Sequence, residues 1–450
     1  MQRHHTRTGF ERPHWTRRRF FQLTGAGVCG AFLAQRYAGA APAASSGGVP
    51  KNTARNVVFI LLAGGPSQVD TFDFKMTDGV TPTAFAPESI NGVLWPTGIM
   101  PMLADRLPNI AIVRSMRAHA LVHSLAQTWV QIGRNPVSGT GGIAPHIGSV
   151  VAIEKDPERK DGEKFPTFLA LNSDAADGSG YLAAKYGPFK IVGNRAGLAN
   201  ASHPVGEARF QRRLSLMRAL DDQLGAAPAA IDDYRDFYTA AQGLTYDAAV
   251  DQAFTFAAGD SARYGSSSLG DACLTAYQVL AAQQGTRFVQ ITSNDGWDMH
   301  QSIYASGPTG LPSRAAVLDL ALSALLDDLK SSGLFADTMV VMLGEFGRTV
   351  GPLTTSQGRD HYAQQFAVFA GGGVKGGTVI GATNASGSDV TEFGWSRNRY
   401  VYVEDIEATI YSAMGIDWTY VRTDDPLHRG FEYTPFSEED LYGPVHELWG

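Results

Sequence analysis

The feature that most constrains this chain is a set of short, unbroken apolar runs, several of which stop at glycine. "NVVFILLAGG" (Asn56–Gly65) sets the pattern. "NIAIVRS" (Asn109–Ser115), "FPTFLAL" (Phe165–Leu171), "RFVQITS" (Arg287–Ser293), "TMVVMLG" (Thr338–Gly344) and "QFAVFAGGG" (Gln365–Gly373) repeat it. A strand with one wet face alternates polar and apolar residues; an unbroken run has both faces covered. Helical segments lie between the runs. In "SRAAVLDLALSALLDDLKSSG" (Ser313–Gly333), Val317, Leu318, Ala321, Leu322, Leu325 and Leu329 share one face, Ser313 is placed to cap and Gly333 to stop the helix. "DACLTAYQVLAAQQG" (Asp271–Gly285) and "VEDIEATIYSAMG" (Val403–Gly415) are similar. This alternation predicts an α/β fold, a central, mostly parallel sheet flanked by helices. Residues about 195–260 read as consecutive helices, a helical insertion.

In open α/β sheets the chemistry gathers beyond the carboxyl ends of the strands. The polar residues there are Asp70 and Asp73; Asp295, Asp298 and His300; Glu345 and Arg348; and, further on, Asp360 and His361. One strand-end carboxylate is ordinarily a turn former or a helix cap. Several converging carboxylates repel one another unless a cation joins them. A mixed Asp/Glu/His set suits zinc, manganese or iron better than calcium, and the expected cofactor is one or two divalent ions, zinc or manganese first.

The first residues read as an address. "TRRRFFQ" (Thr16–Gln22) resembles the twin-arginine export signal, with Arg17 and Arg18 before Phe20 and Phe21. The moderately apolar Leu23–Ala34 and small residues near Ala40–Ala44 follow, so residues 1–44 form the expected signal peptide and 45–55 a linker to a domain spanning 56–450. Val28 before Cys29 argues against a lipid anchor. The implied partner is the twin-arginine export machinery, and the implied location periplasmic or secreted. No apolar run reaches the ~18 residues of a membrane span.

Residues 1–44 hold seven of the 37 Lys/Arg and one of the 44 Asp/Glu, so the remainder would carry −13, against −7 for the whole. Nucleic acid is a poor partner for such a surface. Cys273 alone would remain, which leaves no intramolecular disulfide to form.

"VVMLGEFGRT" resembles the strand-to-metal-ligand element of the alkaline-phosphatase and sulfatase superfamily, and "DGWDMH" its Asp-to-His element. More closely, "GGPSQVDTFDFK", "DGWDMH", "GEFGRT" and "GRDHY" behind a twin-arginine signal resemble the bacterial family known as domain of unknown function 1501, grouped with alkaline-phosphatase-like proteins. The resemblance implies an alkaline-phosphatase-like fold. It implies Asp70 and Glu345 at one metal site, and Asp295, His300 and His361 at another. Phe346 stands where phosphatases have a second-site histidine, which weakens the site with Glu345.

"HSLAQTWVQIGR" (His123–Arg134) is similar to the sulfatase nucleophile stretch, with His123 where the modified cysteine would be. Lacking that cysteine, the chain does not fit a sulfatase of that type. Ser124 is then one candidate nucleophile; alternatively His123 or His119 binds metal, or a metal-bound water attacks. Arg348 and Arg134 are candidates to meet developing negative charge. The implied activity is metal-dependent hydrolysis of a phosphate or related sulfate ester, on a small-molecule or glycan-linked substrate. The alternative is a non-catalytic binding or assembly protein of the bacterial envelope. Aromatics of "YRDFY" (Tyr234–Tyr238) would then offer a glycan or partner surface.

Overall fold

The computed structural model describes residues 48–449 except 174–177, 194–196, 199–200, 224–234 and 236–237. The export segment therefore lies outside the described residues, as do the first three linker positions and Tyr234, Asp236 and Phe237 of the aromatic run.

Each apolar run becomes a strand of one eight-stranded sheet. The strands are β1 (Asn56–Leu62), β2 (Ile110–Arg117), β3 (Phe168–Leu171), β4 (Phe189–Ile191), β5 (Phe288–Ser293), β6 (Thr338–Leu343), β7 (Gln364–Ala370) and β8 (Thr378–Ile380). Their order is β8-β2-β7-β6-β1-β5-β3-β4. All pairings are parallel except those of β7, which runs against both β2 and β6. The sheet is thus mixed but mostly parallel.

The unbroken apolar pattern of β1 has the expected cause. Val58, Ile60 and Leu62 belong to the core on one face, and Val57, Phe59 and Leu61 to the core on the other. The principal helices are α1 (His123–Ile132), α2 (Ile147–Lys155), α3 (Glu207–Gln223), α4 (Ala248–Ala253), α5 (Ser268–Ala281), α6 (Leu311–Ser331) and α7 (Val403–Ala413). Helices α5 and α6 supply the first core with Leu274, Leu318, Leu322 and Leu325. Helices α2 and α7 supply the second with Val150, Val151, Ile406 and Ile410. Cys273 of α5 is free and buried.

Two details differ from expectation or go beyond it. Helix α6 begins at Leu311, not after Ser313, because Pro312 is already fixed for a first turn; the Ser313 hydroxyl instead donates to the Gly307 carbonyl. Helix α2 is capped by His146, whose Nδ1 accepts from the Gly148 N–H at 2.8 Å. No helix among the described residues is long and apolar enough to cross a membrane.

Candidate metal centre

The glutamate after β6 is held by the end of its neighbour β1. Gly64 and Gly65 present their N–H groups to the Glu345 carboxylate at 3.0–3.2 Å. Only glycine fits there: Gly64 has φ +115° and a Cβ would stand 2.6 Å from the Asp298 nitrogen. At Gly65, φ is +67° and a Cβ would meet the Phe346 ring at 2.6 Å. The same carboxylate accepts from His123 Nδ1 at 2.7 Å and Gln127 Nε2 at 2.9 Å, both on α1. Glu345 is 1% exposed and thereby fully engaged.

His123 leads to the centre itself. His123, Asp298, His300 and His361 each offer a ligand atom, and these atoms lie within 4.8 Å of one another. From Asp298 Oδ1 the distances to the three Nε2 atoms are 3.3, 3.0 and 3.6 Å. The Nε2 atoms of His300 and His361 are 3.0 Å apart. A tetrahedral ion with bonds of ~2.0 Å needs ligand separations of ~3.3 Å, and these four separations lie close to that.

The outer nitrogens fix the inner ones. Nδ1 of His123 meets Glu345, Nδ1 of His300 meets Asp360 at 2.8 Å, and Nδ1 of His361 meets the Leu121 carbonyl at 2.8 Å. Each acceptor holds the ring proton on Nδ1 and turns the Nε2 lone pair inward. Nε2 of His123 is buried with no hydrogen-bond partner. Lone pairs converging on a carboxylate oxygen require a cation or protons between them. The hydrogen bond to Glu345 indeed raises the His123 pKa, although burial opposes it. Burial pushes the Asp298 carboxyl up, but Arg348, assisted by His123 and His300, brings it below the usual carboxylate range.

Arg348 completes the frame. Its side chain is wholly buried. Nε donates to the Gly65 carbonyl; Nη1 to the Arg359 carbonyl and toward His300 Nε2; Nη2 to Asp298 and the Gly64 carbonyl. It therefore positions Asp298 and the β1 turn. Phe346 is buried with its ring centroid 4.4 Å from that of His361 and 4.8 Å from that of His123. Asp298 and His300 are exposed, so the centre opens to solvent on their side.

Of the residues expected at a metal, the structure brings His300 and His361 together with His123, one of the alternatives offered there, and adds Asp298. Asp70 stands apart. It is buried, accepts from Ser67, Tyr304 and Arg359 at 2.6–2.8 Å, and serves an ion pair that anchors the loop before His361. Asp295 turns away to the Ser293 hydroxyl at 2.6 Å. Glu345 lies one shell outward, behind His123. Asp73 pairs with Lys75 and Arg114. His119 stacks between Trp129 and Tyr402 and meets Glu404 at 3.1 Å. Arg134, expected to face negative charge, is buried elsewhere: Nη2 donates to the carbonyls of Glu432 and Tyr433, and the guanidinium lies 3.9 Å from the Phe431 centroid. Ser124 lies exposed on the first turn of α1.

The family model described as "Protein of unknown function (DUF1501)" matches residues 54–434. The chain belongs to the DUF1501 family. No curated protein matches it. Among solved structures, this DUF1501 chain is similar to the lipoteichoic acid synthase LtaP from Listeria monocytogenes (13% identity, TM-score 0.36, 90% of this chain and 81% of that one). It is also similar to the PsFucS1 sulfatase from Pseudoalteromonas sp. (13%, 0.37, 86% and 70%). A third is a protein in the alkaline phosphatase superfamily from Vibrio parahaemolyticus (12%, 0.38, 82% and 69%). At these scores the likeness is distant, and the chemistry of the site rests on this chain's own residues.

Proposed function

We propose that this DUF1501 protein is a hydrolase of phosphate or sulfate esters that works with one divalent ion, zinc or manganese, held by His123, Asp298, His300 and His361. The observation that carries the reading is the convergence of three outward-anchored imidazoles and one carboxylate at the carboxyl edge of the sheet. A bound divalent ion supplies polarisation of the ester oxygens and acidifies water. The chain's own residues do the rest. Glu345 and Asp360 hold two imidazole tautomers, Arg348 holds Asp298, and Phe346 keeps water from one flank. In the overall reaction a water oxygen bonds to phosphorus or sulfur, the ester bond breaks, and the alcohol leaves with a proton. A periplasmic or secreted location after twin-arginine export is part of the proposal, supported by the order of features in residues 1–44.

A second reading is favoured by one count. Four protein ligands are what closed, structural ions use, whereas catalytic zinc commonly has three and an open position. That would make the centre part of a non-catalytic binding or assembly protein. Metal analysis of the purified chain, with a panel of phosphate mono- and diesters and sulfate esters, separates the two. One ion with metal-dependent turnover supports hydrolysis; one ion with no turnover across the panel supports the second reading.

A further inference from the structure

We infer that this site, holding one divalent ion, selects esters that carry a single negative charge over phosphomonoester dianions; this rests on the hydrolase reading above. Three carboxylates and one guanidinium make side-chain contact with the imidazoles or with one another at the centre. Asp298 is a ligand, Glu345 backs His123, and Asp360 backs His300. Against them stands Arg348. The formal deficit of two charges is what one divalent ion cancels. The adjoining Asp70–Arg359 pair is neutral as a unit.

A second ion has no comparable place. His123, Asp298, His300 and His361 are the single such group among the described residues, and Phe346 fills the space beside His123 and His361. Arg348, the guanidinium in contact with the centre, is drawn onto Asp298 and the carbonyls of Gly64, Gly65 and Arg359, and Arg117 stacks on Tyr400 at 4.8 Å. A monoanion thus meets a locally neutral centre whose ion it can touch. The second charge of a dianion gains no second ion among the described residues and faces Asp298 and Asp360, both exposed. Sulfate monoesters and phosphodiesters share the favoured charge.

The test uses ligands that cannot be hydrolysed by this chemistry, so its readout is binding. The full chain, loaded with one equivalent of zinc or manganese, is titrated calorimetrically with benzenesulfonate, methylphenylphosphinate and phenylphosphonate. The pH is chosen so that phenylphosphonate is a dianion. Both monoanions, or one of them, are expected to bind at least about tenfold more tightly than phenylphosphonate. Preference for benzenesulfonate assigns sulfate esters; preference for methylphenylphosphinate assigns phosphodiesters. Asp360→Asn, compared at equal metal occupancy, removes one charge and should narrow the gap severalfold. Equal or tighter binding of phenylphosphonate, no anion binding by the loaded protein, or an unchanged gap in Asp360→Asn would overturn the inference while leaving the metal centre standing. Failure to take up metal would remove both.

Discussion

Glu345 Oε1 lies 2.7 Å from His123 Nδ1, on the far side of the imidazole from the metal-facing Nε2. A carboxylate behind a ligating histidine fixes the ring and strengthens it as a donor. Glu345→Gln keeps the shape but offers an amide where a carboxylate took four donors. We expect metal affinity to fall roughly 10–100-fold, with the ion still bound at high concentration. Competition against a chromophoric chelator measures this. An unchanged affinity would remove Glu345 from the support of the centre, and complete loss of the ion at saturating metal would make it a ligand.

The two aspartates of "NDGWDMH" should behave differently. Asp298→Ala removes a ligand atom at the hub of the centre, while Asp295→Ala removes only a partner of the Ser293 hydroxyl. Metal content should drop sharply in the first variant and stay near one ion per chain in the second. The reverse order would place the ion elsewhere on this loop.

Much of this was legible in the sequence, and the misses share a cause. Buried strands write themselves as unbroken apolar runs, because both faces of β1 and its neighbours are covered by helices. Strand direction leaves no such mark, and "QFAVFAGGG" reads the same whether β7 runs with the sheet or against it. The strand-end rule led to the right loops but could not choose among their carboxylates. Asp295 and Asp298 sit in one heptapeptide, and which one faces the ion depends on the loop's path around the buried Trp297. Asp70 looked like a ligand because its partner, Arg359, is distant in sequence. His123 carried a usable signal: it lies just beyond the end of β2 and opens a helix that ends at Gly133, and the fold brings it against Glu345.

The Asp70–Arg359 pair is buried on both sides, with side chains 0% and 1% exposed. Breaking such a pair leaves a charge without its partner and costs about 3–5 kcal/mol. Arg359→Met should lower the urea midpoint accordingly, and loosen the loop that carries Asp360 and His361. A loss under about 1 kcal/mol would show that Ser67 and Tyr304 alone satisfy Asp70.

His146 gives the fold an acid-sensitive point away from the centre. Burial lowers its pKa from the usual 6.5 to about 3, so the folded ring is neutral while the unfolded one takes a proton. The unfolded state binds more protons below the ordinary pKa, so stability is full above it and falls as pH drops toward the folded value. Between pH 7 and pH 5 the loss should be about 2 kcal/mol. His146→Asn keeps a capping oxygen for α2 but does not titrate, and its stability curve should lack this component. Parallel curves for the two proteins over that range would contradict the assignment.

The central claim is that one divalent ion sits among His123, Asp298, His300 and His361. Elemental analysis of the purified chain and of His300→Ala and His361→Ala, each equilibrated with zinc or manganese and freed of excess, tests it most directly. The account predicts one ion per chain in the unaltered protein and far less than one in both variants, with the fold retained by circular dichroism. No ion in the unaltered protein, or a full ion in both variants, would contradict it.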